Sequence, residues 1–113
     1  MYQNVSGGAR RVLAIGVAVN DAPSSPTAAL APDGTLILME GDPARADEAR
    51  RFLSASGLSG RATVIGGDPR RMLYKLAGPF DLIVCEATYL SARDILERLL
   101  APHGVLRTND DKR

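Results

Sequence analysis

The stretch Leu36-Ile37-Leu38-Met39-Glu40-Gly41-Asp42-Pro43 carries a strand directly into a helix. Four consecutive apolar residues fit a strand covered on both faces, where an alternating pattern would mean one face in water. Asp42 is a good helix N-cap, and Pro43 suits the first helical position, where no backbone donor is needed. Ala49, Phe52 and Leu53 then provide an inner helix face, and Gly57 provides a stop. The same unit recurs outward in both directions. Further apolar runs lie at Val12–Ile15, Ala62–Ile65, Phe80–Cys85 and Val105-Leu106. Asp68-Pro69 repeats the helix start, with Gly78-Pro79 as its end. Ser91 and Asp94 resemble a capping box ahead of Ile95, Leu96, Leu99 and Leu100, and Pro102 with Gly104 turns the chain into the last run. Strands alternating with helices predict a doubly wound α/β domain with a mostly parallel sheet of about five strands. One domain over residues 1–113 is expected, with 1–9 and 109–113 as tails.

One segment breaks the alternation. Where a helix should follow the first run, the chain reads Asp21-Ala22-Pro23-Ser24-Ser25-Pro26-Thr27. Two prolines three residues apart oppose a regular helix, so a loop is expected, with at most one helical turn over Thr27–Leu30.

Composition narrows the function classes. The 113 residues carry 14 basic and 13 acidic side chains, a net charge of +1, which offers no bulk attraction to nucleic acid or an anionic membrane. Trp is absent and aromatic residues make up only 4%, so base-stacking platforms are not expected. A single cysteine, Cys85, excludes an internal disulfide and a cysteine-built zinc site. No apolar run has membrane-helix length and no signal peptide is recognisable, so a cytoplasmic protein is expected.

In an open parallel sheet, ligands bind at the carboxyl ends of the strands. That rule selects Gly16, Glu40, the Gly66-Gly67-Asp68 turn, and Glu86 to Tyr89. Glu40 can accept two hydrogen bonds from a ribose, or it is simply a polar strand end. Asp68 can accept a bond from an exocyclic amine beside two permissive glycines, or it is simply the cap of the next helix.

With these residues in view, the chain resembles the catechol-type, metal-dependent O-methyltransferases. The likeness runs through Val12-Leu13-Ala14-Ile15-Gly16, Ala31-Pro32-Asp33-Gly34-Thr35-Leu36-Ile37, Glu40-Gly41-Asp42-Pro43, Gly67-Asp68, Gly78-Pro79-Phe80-Asp81-Leu82-Ile83 and Pro102-His103-Gly104-Val105-Leu106. It implies a Rossmann-like methyltransferase fold in reduced form and S-adenosylmethionine as cofactor. Glu40 would hold the ribose, Gly67 and Asp68 the adenine, and Gly16 the loop under the methionine portion. It also implies a divalent metal, Mg²⁺ or Ca²⁺, at positions occupied by Glu86, Asn109 and Asp110. The chain departs from the family pattern at Ala14, where an acidic residue is usual, and across Val17 to Asn20, where glycines are usual. Tyr89 stands where the family carries a lysine.

The implied function is methyl transfer from S-adenosylmethionine to a hydroxyl of a small molecule, without a catalytic base that can be named. The alternative is a non-catalytic binding or assembly module of the same fold. A homodimer is expected, with the edge at Val105–Thr108 inviting strand pairing. A nicotinamide dinucleotide domain ranks behind both, because the first strand is not followed by G-x-G-x-x-G. Cys85 reads as a buried thiol, His103 as a solvated turn residue, and the Arg10-Arg11, Arg50-Arg51 and Arg70-Arg71 pairs as solvated faces.

Overall fold

A computed structural model describes residues 8–20 and 25–108. Five strands, β1 (Ala9–Ile15), β2 (Leu30–Glu40), β3 (Ala62–Gly66), β4 (Phe80–Cys85) and β5 (Leu100–Thr108), form one sheet in the order β3-β2-β1-β4-β5. Every neighbouring pair is parallel. The helices are α1 (Pro43–Ala55), α2 (Pro69–Met72) and α3 (Arg93–Leu99). β1 lies in the middle, so the connections leave it toward β2 on one side and β4 on the other. The crevice for a ligand therefore opens at the carboxyl ends beside β1.

The apolar runs of β1, β2 and β4 bury both sheet faces, whereas the edge strands β3 and β5 hold no buried residue, because each has a neighbour on one side only. Val12, Ala14, Leu36, Leu38, Leu82 and Val84 point into one core, which Ala49 and Leu53 of α1 complete. Leu13, Ile15, Met39, Ile83 and Cys85 point into the other, closed by Leu73, Leu96 and Leu99. Strand period two divides each run between the two layers.

Local signals set most boundaries. The carboxylates of Asp42 and Asp68 cap α1 and α2 by accepting from the Ala44 and Arg70 N–H groups. Three expectations need correction. The second helix does not run to Gly78-Pro79: α2 ends at Met72, a 3-10 turn covers Leu73–Lys75, and Leu76 is already extended. The Leu76 N–H bonds back only three residues, to the Leu73 carbonyl, so the last turn is 3-10 and the helix stops there. Ser91 caps no helix; its hydroxyl donates to the Thr88 carbonyl, and α3 starts at Arg93 without a side-chain cap.

The third correction is that β2 and β5 begin earlier than the apolar runs. Both open on the same sequence frame, Leu30-Ala31-Pro32-Asp33-Gly34-Thr35-Leu36 and Leu100-Ala101-Pro102-His103-Gly104-Val105-Leu106. In both, the pairing jumps: Ala9–Leu30 is followed by Arg11–Thr35, and Phe80–Leu100 by Leu82–Val105. The glycine makes the bulge possible. A Cβ on Gly34 would stand 2.7 Å from the Ala9 carbonyl oxygen, and one on Gly104 would stand 2.8 Å from that of Phe80. Among the described residues no helix is long and apolar enough to cross a membrane.

Candidate functional site

The exit of β1 and the exit of β2 lie side by side. Gly16 has φ +70°, a left-handed conformation that L side chains rarely adopt, and its N–H donates to the Met39 carbonyl. Beyond it, Val17 and Val19 are buried in the core that α1 covers. They stand where the resemblance leads one to expect glycines, and fully buried Ala14 lies in the same core. Ser25 closes this segment: its buried hydroxyl accepts from the N–H groups of Asn20 (3.2 Å) and Thr27 (3.4 Å). A single 3-10 turn follows at Pro26–Ala29, much as the two prolines predict. Residues 21–24, which include Pro23, lie outside the described residues.

Glu40 ends β2 with its side chain only 7% exposed. Its Oε2 accepts from the Asp42 N–H at 3.0 Å, at the positive end of α1. Its Oε1 lies 3.6 Å from Arg45 Nε, and a terminal nitrogen of Arg45 donates to the Gly16 carbonyl at 3.1 Å. Side chains in a first helical turn point back toward the N-terminus, which brings Arg45 over both strand exits. Sequence reasoning misses Arg45. Its only signal is a cation in the first turn of α1, where the helix dipole disfavours one and a nearby carboxylate must compensate. A cleft of about 270 Å³ opens between the two exits, walled by Val17, Val19, Asn20, Glu40, Arg45 and Phe52.

Glu40 pairs in register with Gly66, which sets the third strand exit beside the second. Gly67 has φ +106°, and a Cβ on Gly41 would lie 3.5 Å from the Gly67 carbonyl oxygen. Asp68 is exposed, with Oδ1 occupied by the Arg70 N–H. The helix-cap reading of Asp68 is therefore correct, and it leaves Oδ2 for a ligand.

The β4 exit faces Gly16 from the other side. A Cβ built on Gly16 would lie 2.9 Å from Glu86 Oε1 and 3.0 Å from Tyr89 Cε2. The Arg70 guanidinium covers the Tyr89 ring at 4.8 Å from its centroid and donates to the Thr88 carbonyl. Burial pushes the Tyr89 phenol above its ordinary value; Arg70 opposes this, and Glu86, Glu40 and Asp68 add to it. Burial, and after it Glu86, raises the Cys85 thiol, in keeping with a structural cysteine.

The expected site residues Gly16, Glu40, Gly67 and Asp68 thus gather along one edge. Of the expected metal ligands only Glu86 is described; Asn109 and Asp110 lie outside the described residues. Among the described residues no three His, Cys, Asp or Glu side chains group as a metal site. The arginine pairs are mostly engaged one by one. Arg10 pairs with Asp33, Arg11 reaches the Pro79 carbonyl and covers the Phe80 ring, and Arg50 pairs with Asp47.

No family model and no curated protein matches the chain. Solved structures do. The chain is similar to cofactor-bound Rv0187 from MTB, at 30% identity and TM-score 0.76, over 87% of this chain and 47% of that one. The O-methyltransferase TomG from Streptomyces achromogenes, involved in tomaymycin synthesis and solved with S-adenosylmethionine, matches at 26% identity and TM-score 0.75. That match covers 87% of this chain and 47% of TomG. An O-methyltransferase from Bacillus cereus in complex with S-adenosylhomocysteine shares the fold at 24% identity and TM-score 0.75, over 88% of this chain and 49% of that one. The chain spans about half the length of the structures it matches. Its fold is the Rossmann-like fold of the O-methyltransferases.

Proposed function

We propose that this chain, built on the fold of the S-adenosylmethionine-dependent O-methyltransferases, binds that cofactor at the exits of β1, β2 and β3. There it serves transfer of the methyl group to a hydroxyl of a small molecule. The observation that carries the reading is Glu40. A carboxylate offers about four lone-pair sites, so Asp42 and Arg45 leave room for the two hydroxyls of a ribose. It is buried, so those bonds would form out of competition with water.

Bound S-adenosylmethionine supplies an activated methyl group on a sulfonium. The contribution of the chain is alignment, which is worth several kcal/mol when reacting atoms are held in line, roughly 7 in favourable cases. Gly16 supplies the left-handed turn at the β1 exit, Glu40 would fix the ribose, and Gly67 with Oδ2 of Asp68 would receive the adenine. An S-adenosylhomocysteine titration tests this directly. Heat with a saturable isotherm is expected, and Glu40→Ala should abolish it; no heat at high ligand concentration rejects the reading. Cytoplasmic residence and a homodimer through β5, an edge strand of the sheet, belong to the same proposal. A monodisperse monomer in solution scattering at high concentration would remove the dimer.

A further inference from the structure

Four strand exits stand in one row, β3, β2, β1 and β4, spaced about 5 Å apart as neighbouring strands are. They differ in the room that they leave. At the β3 exit, a Cβ on Gly66 or Gly67 would meet no described atom within 4 Å. At the β2 exit, buried Glu40 keeps acceptor sites beyond those used by the Asp42 N–H and Arg45. At the β1 exit, the space over Gly16 is taken. A Cβ there would lie 2.9 Å from Glu86 Oε1 and 3.0 Å from Tyr89 Cε2, and the Arg70 guanidinium covers the face of that ring. A base at the β3 exit and a ribose at the β2 exit would direct the 5′ substituent of a nucleoside toward this filled end.

The cleft between the β1 and β2 exits gives such a substituent little to hold. Val17, Val19 and Phe52 are among its walls, and its charged groups are Glu40, Glu48 and Arg45. Arg45 is already engaged with Glu40 and with the Gly16 carbonyl. An amino-acid tail is a zwitterion, so the two carboxylates that attract its ammonium repel its own carboxylate. The valines return nothing for the water that either group gives up.

We infer that the site selects its ligand by the nucleoside: it takes 5′-substituted adenosines as a class, and the amino-acid tail of S-adenosylmethionine adds no affinity. Adenosines without that tail therefore compete with the cofactor on equal terms. This rests on the reading that base and ribose lie at the β3 and β2 exits, and it names which half of the ligand is held.

Calorimetric titrations with S-adenosylhomocysteine and with 5′-methylthioadenosine separate the two halves. The second ligand keeps the base, the ribose and the thioether and lacks the amino-acid group. S-adenosylhomocysteine should bind the wild-type chain no more than about threefold tighter, because even one charge-assisted bond to the tail would give at least about tenfold. Glu40→Gln should weaken both ligands by the same factor. A larger advantage for S-adenosylhomocysteine overturns the inference and leaves the cofactor site standing. A loss confined to S-adenosylhomocysteine in Glu40→Gln overturns it as well, since Glu40 would then hold the tail ammonium. Binding of 5′-methylthioadenosine without S-adenosylhomocysteine supports the nucleoside class and rejects the cofactor reading. Absence of binding by both ligands rejects the site itself, and this inference with it.

Discussion

The two strand exits beside the central crevice have diverged in what they bury. The β2 exit buries a charge: Glu40, held by the Asp42 N–H and by Arg45. The β1 exit buries apolar side chains: Val17 and Val19 lie in the core, and Ser25 ties the segment back to Asn20. A buried carboxylate has little value to folding, because its desolvation offsets much of its pairing energy. A buried valine has little value to a polar ligand. On the proposed reading, the β1 exit contributes mainly to stability and the β2 exit to recognition.

Substitutions on the two sides should separate these roles. The largest effect is expected from Val17→Asp, which places an unpaired charge at a buried apolar position on the wall of the cleft. It should cost at least about 3 kcal/mol in chemical denaturation, if the chain folds at all. Glu40→Gln should behave oppositely, with the denaturation midpoint nearly unchanged and S-adenosylhomocysteine affinity lowered at least tenfold. That fall matches the roughly 1.5–3 kcal/mol of hydrogen bonds to a charged acceptor. If Glu40→Gln instead destabilises the fold and spares binding, the contrast between the exits is reversed. Ser25→Ala removes the hydroxyl that gathers Asn20 and Thr27 and should cost about 1 kcal/mol. Arg45→Met comes last. Its guanidinium is about half exposed, so stability should fall by less than about 1 kcal/mol after screening by solvent. Ligand affinity should fall by a smaller factor than in Glu40→Gln, because Arg45 only positions the carboxylate.

Much of the fold is legible in the residues themselves. Asp42 and Asp68 cap helices as their Asp-Pro dipeptides foretell, because a cap is satisfied within two residues. The continuous apolar runs foretell strands with two covered faces, which holds for β1, β2 and β4 but not for the edge strands β3 and β5. The runs do not mark the true start of β2 or β5, since Pro32-Asp33-Gly34 and Pro102-His103-Gly104 read locally as turns. Only the close backbone of the neighbouring strand makes a bulge of them. The capping box at Ser91 fails for a related reason, because the hydroxyl finds the Thr88 carbonyl instead.

Local sequence is enough for the α/β class, the helix starts, the break after the first strand and the placing of Glu40, Asp68 and Gly16 at strand ends. Each of these follows from neighbours a few residues apart. Long-range packing is needed to bring Arg45 to Gly16, and Tyr89 and Glu86 to the same glycine. Those contacts span 29 residues in one case and about 70 in the other. They exist because a parallel sheet with β1 at its centre brings every exit to the same edge. No local pattern encodes which side chains then face one another across the crevice.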